Sequence, residues 1–149
     1  MEYKNYLILI FLFLLFFACK KEQHFSEIAA NIYSSDSTLL WIKYGKDSDL
    51  PFKDREKFLQ KAYKQTKNKL NDSVRLYYLS ELSLGYLSMK DSVNFRKVND
   101  NAILLAKEIR DSVTHAGLHW DRATFYNNYF IKDSAYYEYG QAEQLYTGL

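Results

Sequence analysis

Residues 89–113, MKDSVNFRKVNDNAILLAKEIRDSV, decide the fold, because the same basic-Asp-Ser-Val turn closes both ends of one helical pattern. Between Asp91 and Asp111 the apolar residues fall at Phe95, Val98, Ala102, Leu105, Ala106 and Ile109, in steps of three and four. Arg96, Lys97, Asp100, Lys107 and Glu108 occupy the other side, which is the pattern of an amphipathic α-helix. Asp and Ser accept hydrogen bonds from the unpaired amides of a helix's first turn, and Asp places negative charge at the positive end of the helix dipole. Each Asp-Ser is therefore read as a helix start.

Outward from this stretch, Asp-Ser recurs at positions 36, 47, 72, 91, 111 and 133, six of the ten aspartates. Chance would place about one. After Asp72 the apolar stripe is Val74, Tyr78, Leu79, Leu82, Tyr86 and Met89. After Asp111 it is Val113, Ala116, Trp120, Ala123, Tyr126 or Asn127, and Phe130; after Asp133 it is Ala135, Tyr139, Ala142 and Tyr146. The connections MKDS, IRDS and IKDS leave room for one tight turn each, so successive helices run antiparallel. Intervals from cap to cap are 19, 20 and 22 residues, a helix-pair period of 39 or 42. A hairpin with one stripe per helix cannot bury both faces alone, so the pairs are expected to stack.

Several positions carry a family resemblance. Leu79, Leu82, Ser83 and Tyr86 stand as in the first helix of a tetratricopeptide repeat, a large residue followed by Leu, a small residue and Tyr. NAILLAKEIRDS resembles the second helix, with Ala102 at its small position, and Ala123 and Tyr126 repeat the small-to-Tyr step. DSAYYEYGQAEQLY and, upstream, DREKFLQKAYKQTKNKLND resemble second helices too, the latter with Phe58, Leu59, Ala62, Tyr63 and Leu70 inward. SDSTLLWIKYGK, with Leu39, Leu40, Ile42 and Tyr44, is the partner of the upstream helix, and Pro51 separates the two. The family period is 34, shorter than here. The resemblance covers residues 53–147 and implies an all-α, antiparallel helix-hairpin solenoid of about three pairs, a right-handed superhelix whose concave face binds a protein or peptide.

The amino-terminal segment reads differently. Leu7 to Phe17 is an unbroken apolar run of eleven, preceded by Lys4. A spanning helix takes about 20 apolar residues and a secretory signal roughly 7 to 15. Ala18 followed by Cys19 and then KKEQ resembles the lipobox of bacterial lipoproteins, in which the cysteine is acylated and becomes the first residue; Phe16 and Phe17 replace the usual Leu and small residue. The expected organisation is a signal peptide over 1–18, a lipid-anchored tether over 19–30, and a repeat domain over 31–149 that continues beyond the last residue in a longer parent. Similar arrays stand at the front of bacterial sensor histidine kinases and membrane-tethered helix-turn-helix regulators, and glycan-uptake lipoproteins of the starch-utilisation type also use these repeats. That resemblance implies an exported sensing or interaction module at the periplasmic or outer-membrane side.

Other chemistry is weak in the sequence. Net charge is +2, from 20 basic and 18 acidic residues without a basic block, so no nucleic-acid partner is expected. His115 and His119 share a helix face at a spacing that can hold zinc, but Ala116 stands where a metalloprotease needs Glu and no third ligand is near, so no metal is expected. Asp47, Asp49, Asp54 and Glu56 lack the glycine of a calcium loop, and none of the five glycines lies in a phosphate-binding context. No nucleophile motif is present, so neither catalysis nor a cofactor is expected. Among the 14 tyrosines, Tyr63, Tyr78, Tyr86 and Tyr139 lie on inner stripes, whereas Tyr77, Tyr129, Tyr136 and Tyr137 are candidates for a groove.

Overall fold

A computed structural model of the chain describes residues 36–68 and 72–148. Residues 38–149 fall in one compact unit. The signal-peptide and tether segments, Cys19 and Leu70 lie outside the described residues.

Every regular element among the described residues is an α-helix: α1 (Ser37–Lys46), α2 (Phe52–Thr66), α3 (Asp72–Ser88), α4 (Ser92–Glu108), α5 (Ser112–Asn128) and α6 (Lys132–Thr147). The all-α class follows. From α2 onward each helix packs against the next, and α3 also touches α5.

Three connections are copies of one turn. Lys90, Arg110 and Phe130, twenty residues apart, have φ of 57°, 60° and 59°, the left-handed conformation that ends a helix. The amide that follows each one donates back across the turn, Asp91 to the Tyr86 carbonyl at 3.1 Å, Asp111 to Ala106 at 2.9 Å and Ile131 to Tyr126 at 2.9 Å. The left-handed residue's own amide donates to the carbonyl three residues earlier in all three cases. Together these two bonds satisfy carbonyls that the helix end leaves free. The same residue then opens the next helix: Asp91 accepts from the Asn94 amide at 3.1 Å and Asp111 from the Thr114 amide at 2.9 Å.

Two expected helix starts differ. Asp133 lies inside the first turn of α6, whose cap is Ile131, so the spacing from cap to cap stays at twenty (91, 111, 131) instead of widening to 22. The carboxylate still serves the helix from that place, beside its positive end. Asp47 begins no helix; its Oδ1 accepts from the Asp49 amide at 3.0 Å and folds the α1–α2 connection, while Pro51 precedes α2.

The core runs through Ile42, Leu59, Leu76, Leu82, Tyr86, Phe95, Val98 and Leu118, with Phe125 stacked on Phe95 at 4.7 Å between ring centres. At its α1 end, Leu59 occupies the space left by two glycines. A Cβ on Gly45 would fall 2.3 Å from the Leu59 Cδ2, and one on Gly85 would fall 2.9 Å from it. Glycine is required there by close approach. Arg55, one turn before Leu59, ties the same elements by donating to the Gly45 carbonyl at 3.0 Å and to the Ser88 Oγ at 3.1 Å.

The α5 stripe departs most from expectation. Val113, Trp120 and Phe130 are 59%, 54% and 86% exposed, while Leu118 and Phe125 are buried. The reason is that α5 has neighbours on two sides. Leu118 and Phe125 join the core shared with α4, whereas Ala116 and Ala123 are buried outside that cluster, as are Ala135 and Ala142 of α6. A helix buried on two sides does not follow a single stripe. In α3, Val74 is likewise exposed and Leu76 buried.

Candidate functional site

Two features converge on α5: a polar network in its inner half and an aromatic hollow on its open side. The network starts from Asn99 of α4, which is fully buried and donates to the Ser83 hydroxyl of α3 at 3.3 Å and to the Leu118 carbonyl of α5 at 3.2 Å. Its Oδ1 accepts from the Arg122 Nε at 2.8 Å. Arg122 also pairs with Asp100 and lies 3.8 Å from the buried Glu138 carboxylate of α6. Glu138 in turn lies 2.6 Å from His119 Nδ1, and His119 Nε2 lies 3.2 Å from His115 Nε2. Burial, then the neighbouring His119 and Lys107, hold the His115 imidazole below its usual pKa.

A network of this kind joins α3, α4, α5 and α6 by side chains whose buried polar atoms find partners. Such groups cost little when satisfied and much when one partner is lost. Asn99 and Glu138 fall on apolar stripes at helical spacing, Asn99 between Phe95 and Ala102 and Glu138 between Ala135 and Ala142, while Arg122 precedes Ala123. A polar residue at a core position of the helical period is the signal that could have found Asn99 and Glu138. For His115 and His119 the arrangement assigns ring nitrogens to each other and to a carboxylate, and among the described residues no group of three ligands could hold a metal.

On the opposite side of α5, an open hollow of about 590 Å³ is lined by Ser80 of α3, by Val113, Gly117, Trp120 and Asp121 of α5, and by Tyr146 of α6. A second hollow of about 550 Å³ adjoins it, sharing Trp120 and Tyr146 and adding Tyr139 and Glu143. The Trp120 ring meets Tyr139 edge-on at 4.9 Å, which holds its indole while leaving Trp120 54% exposed. Burial and the nearby Glu81 push the Asp121 carboxyl up to about 6. A third hollow of about 320 Å³ lies among α2, α3 and α4, with Tyr63, Lys67, Arg75, Asn101 and Leu104 on its walls.

The sequence candidates are distributed as follows. Leu79, Leu82, Ser83, Tyr86, Ala102 and Ala123 are buried, and Tyr126 is half-buried against the core. Tyr77, Tyr129, Tyr136 and Tyr137 are exposed, at 53%, 44%, 74% and 64%. None of these four is among the residues that line the three hollows above. The Tyr129 hydroxyl instead donates to the Lys90 carbonyl at 3.2 Å and braces one turn against another. Trp120 and Tyr146, assigned to an inner stripe by period alone, are the aromatic walls of the open side.

No helix among the described residues is long and apolar enough to cross a membrane. Comparison of the chain with protein-family models, with curated proteins and with solved structures found no match.

Proposed function

We propose that this chain is a non-catalytic module that binds a protein or peptide, built as a tetratricopeptide-like stack of helix hairpins and carried on an exported, lipid-anchored protein. The single observation that carries the reading is the aromatic hollow formed jointly by α3, α5 and α6, with Trp120, more than half exposed, on its wall. A large aromatic held rigid by a neighbouring ring yet open to solvent is the kind of residue that dominates a binding interface. Support for the stack comes from the twenty-residue turn repeat and from the α3–α5 contact, which brings the first helices of successive pairs together. In solenoids, the curvature of the stack creates an extended concave binding surface. Anchoring rests on the Ala18-Cys19 pair at the end of the apolar run.

Photo-cross-linking in cells tests the binding role. A photoreactive residue at Val113, on the hollow, is expected to give a discrete protein adduct that Trp120→Ala abolishes. The same residue at exposed Val93 of α4 is expected to give none. An adduct at Val93 equal to that at Val113, or one indifferent to Trp120, overturns the assignment of this face. Loss of radiolabelled palmitate incorporation in Cys19→Ser checks the anchor in the same cells.

A further inference from the structure

We propose that the hollow beside Trp120 receives the lysine or arginine side chain of a partner polypeptide, with Asp121 as the counter-ion and Trp120 and Tyr146 as walls for its aliphatic stem. This inference rests on the binding role given above and specifies the chemistry of what binds.

The carboxylate of Asp121 is the reason. Elsewhere the acids around α5 are engaged: Glu138 with His119 and Arg122, Asp100 with Arg122, Glu81 with Lys46 at 2.9 Å, and Asp111 with the Thr114 amide. Asp121 has no hydrogen bond or ion pair among the described residues, and the charge that bears on it is another carboxylate, Glu81. Neither of the two adjoining hollows has a lysine or arginine on its wall, while Asp121 and Glu143 both stand there. Charge complementarity selects the occupant: an acidic or phosphorylated partner would meet only like charge, and a neutral apolar one would leave Asp121 desolvated without a partner.

Shape agrees with charge. A long basic side chain lays its methylenes on apolar surface and projects only its head, and an indole face attracts a cation within about 6 Å. Gly117, one turn before Asp121, keeps the wall low. The nearest atom to a Cβ built there is the Tyr146 hydroxyl at 3.8 Å, so the space over this backbone is open. An incoming segment can therefore approach α5 closely at the point where its side chain must turn toward Asp121.

Panning of a random twelve-residue peptide library against the full chain, kept soluble in a mild non-ionic detergent, tests the inference. Peptides whose binding depends on Trp120 are expected to share a lysine or arginine next to apolar residues. For such a peptide, Asp121→Asn should weaken binding about tenfold, whereas Glu108→Gln, which removes the same charge at a distance, should leave it within about twofold. Circular dichroism of the variants establishes that both remain folded. Trp120-dependent peptides without a shared basic residue overturn the cationic assignment and leave the binding face standing. Equal losses in Asp121→Asn and Glu108→Gln overturn it as well, by reducing it to overall charge. A library that yields no peptide dependent on Trp120 sinks the binding face itself.

Discussion

Asp121 shows how a single side chain can be costly to the fold and useful on its surface. Its carboxyl, raised to about 6, binds a proton in the folded chain over a range where the unfolded chain has lost it, between about pH 4 and pH 6. The stability this contributes is present below the unfolded pKa and is lost as pH rises through the folded one. Asp121→Asn is always neutral, so it is expected to match the parent near pH 4 and to exceed it at pH 7.5. The difference is about 1–2 kcal/mol once solvent on the open side is allowed for. Urea unfolding at the two pH values measures it, and an equal gain at both would contradict a titrating origin. A residue that loosens the fold at neutral pH while facing an open hollow fits the usual opposition between stability and function. Little of this was legible in the sequence, where Asp121 is one acid in a helix. Its lack of a partner exists only after Arg122, next in the chain, has turned inward to Asn99 and Glu138.

At the scale of elements, the turns were partly legible and partly not. Asp91 and Asp111 announce themselves, because a cap must be a side chain able to accept from a helix amide, and only a few residue types can do that. The third turn has no such mark. Ile131 cannot cap, and the nearest Asp-Ser lies two residues downstream, so counting caps misplaces the start of α6. Geometry places it at once, since Phe130 repeats the left-handed conformation of Lys90 and Arg110. A non-glycine residue there is strained by about 1–2 kcal/mol, part of which glycine returns through its greater freedom when unfolded. The Phe130 ring is 86% exposed and offsets little of the strain. Phe130→Gly should therefore raise stability by about 0.5–1 kcal/mol, and Phe130→Val, with its branched Cβ, should lower it. Thermal melts of the two variants should move in opposite directions; movement of both the same way would mean that the aromatic ring, and not the backbone, governs this turn.

For the whole folded unit, the question is what couples the α3–α4 hairpin to the α5–α6 hairpin. Local periodicity answers only within a helix, which is why Leu118 and Phe125 escaped a reading that assigned α5 one inner stripe. Their burial depends on α4 lying alongside, a fact about partners and not about spacing. Phe125 is an apolar tie, stacked on Phe95 of α4 at 4.7 Å and close to Tyr126 of its own helix and to Tyr129 just past its end. Asn99 and Arg122 supply the polar tie beside it. Phe125→Ala removes the ring from a site only 6% exposed, and truncation of a buried phenylalanine costs about 3–5 kcal/mol. Under the stacking of hairpins proposed above, that loss falls on one interface and leaves the stability within each hairpin intact. Amide hydrogen exchange is expected to show α5 and α6 losing protection together, while α3 and α4 retain most of theirs through Leu76, Leu82 and Val98. A uniform loss across all four helices would instead describe one indivisible core, and the nearest-neighbour account of this fold would fail with it.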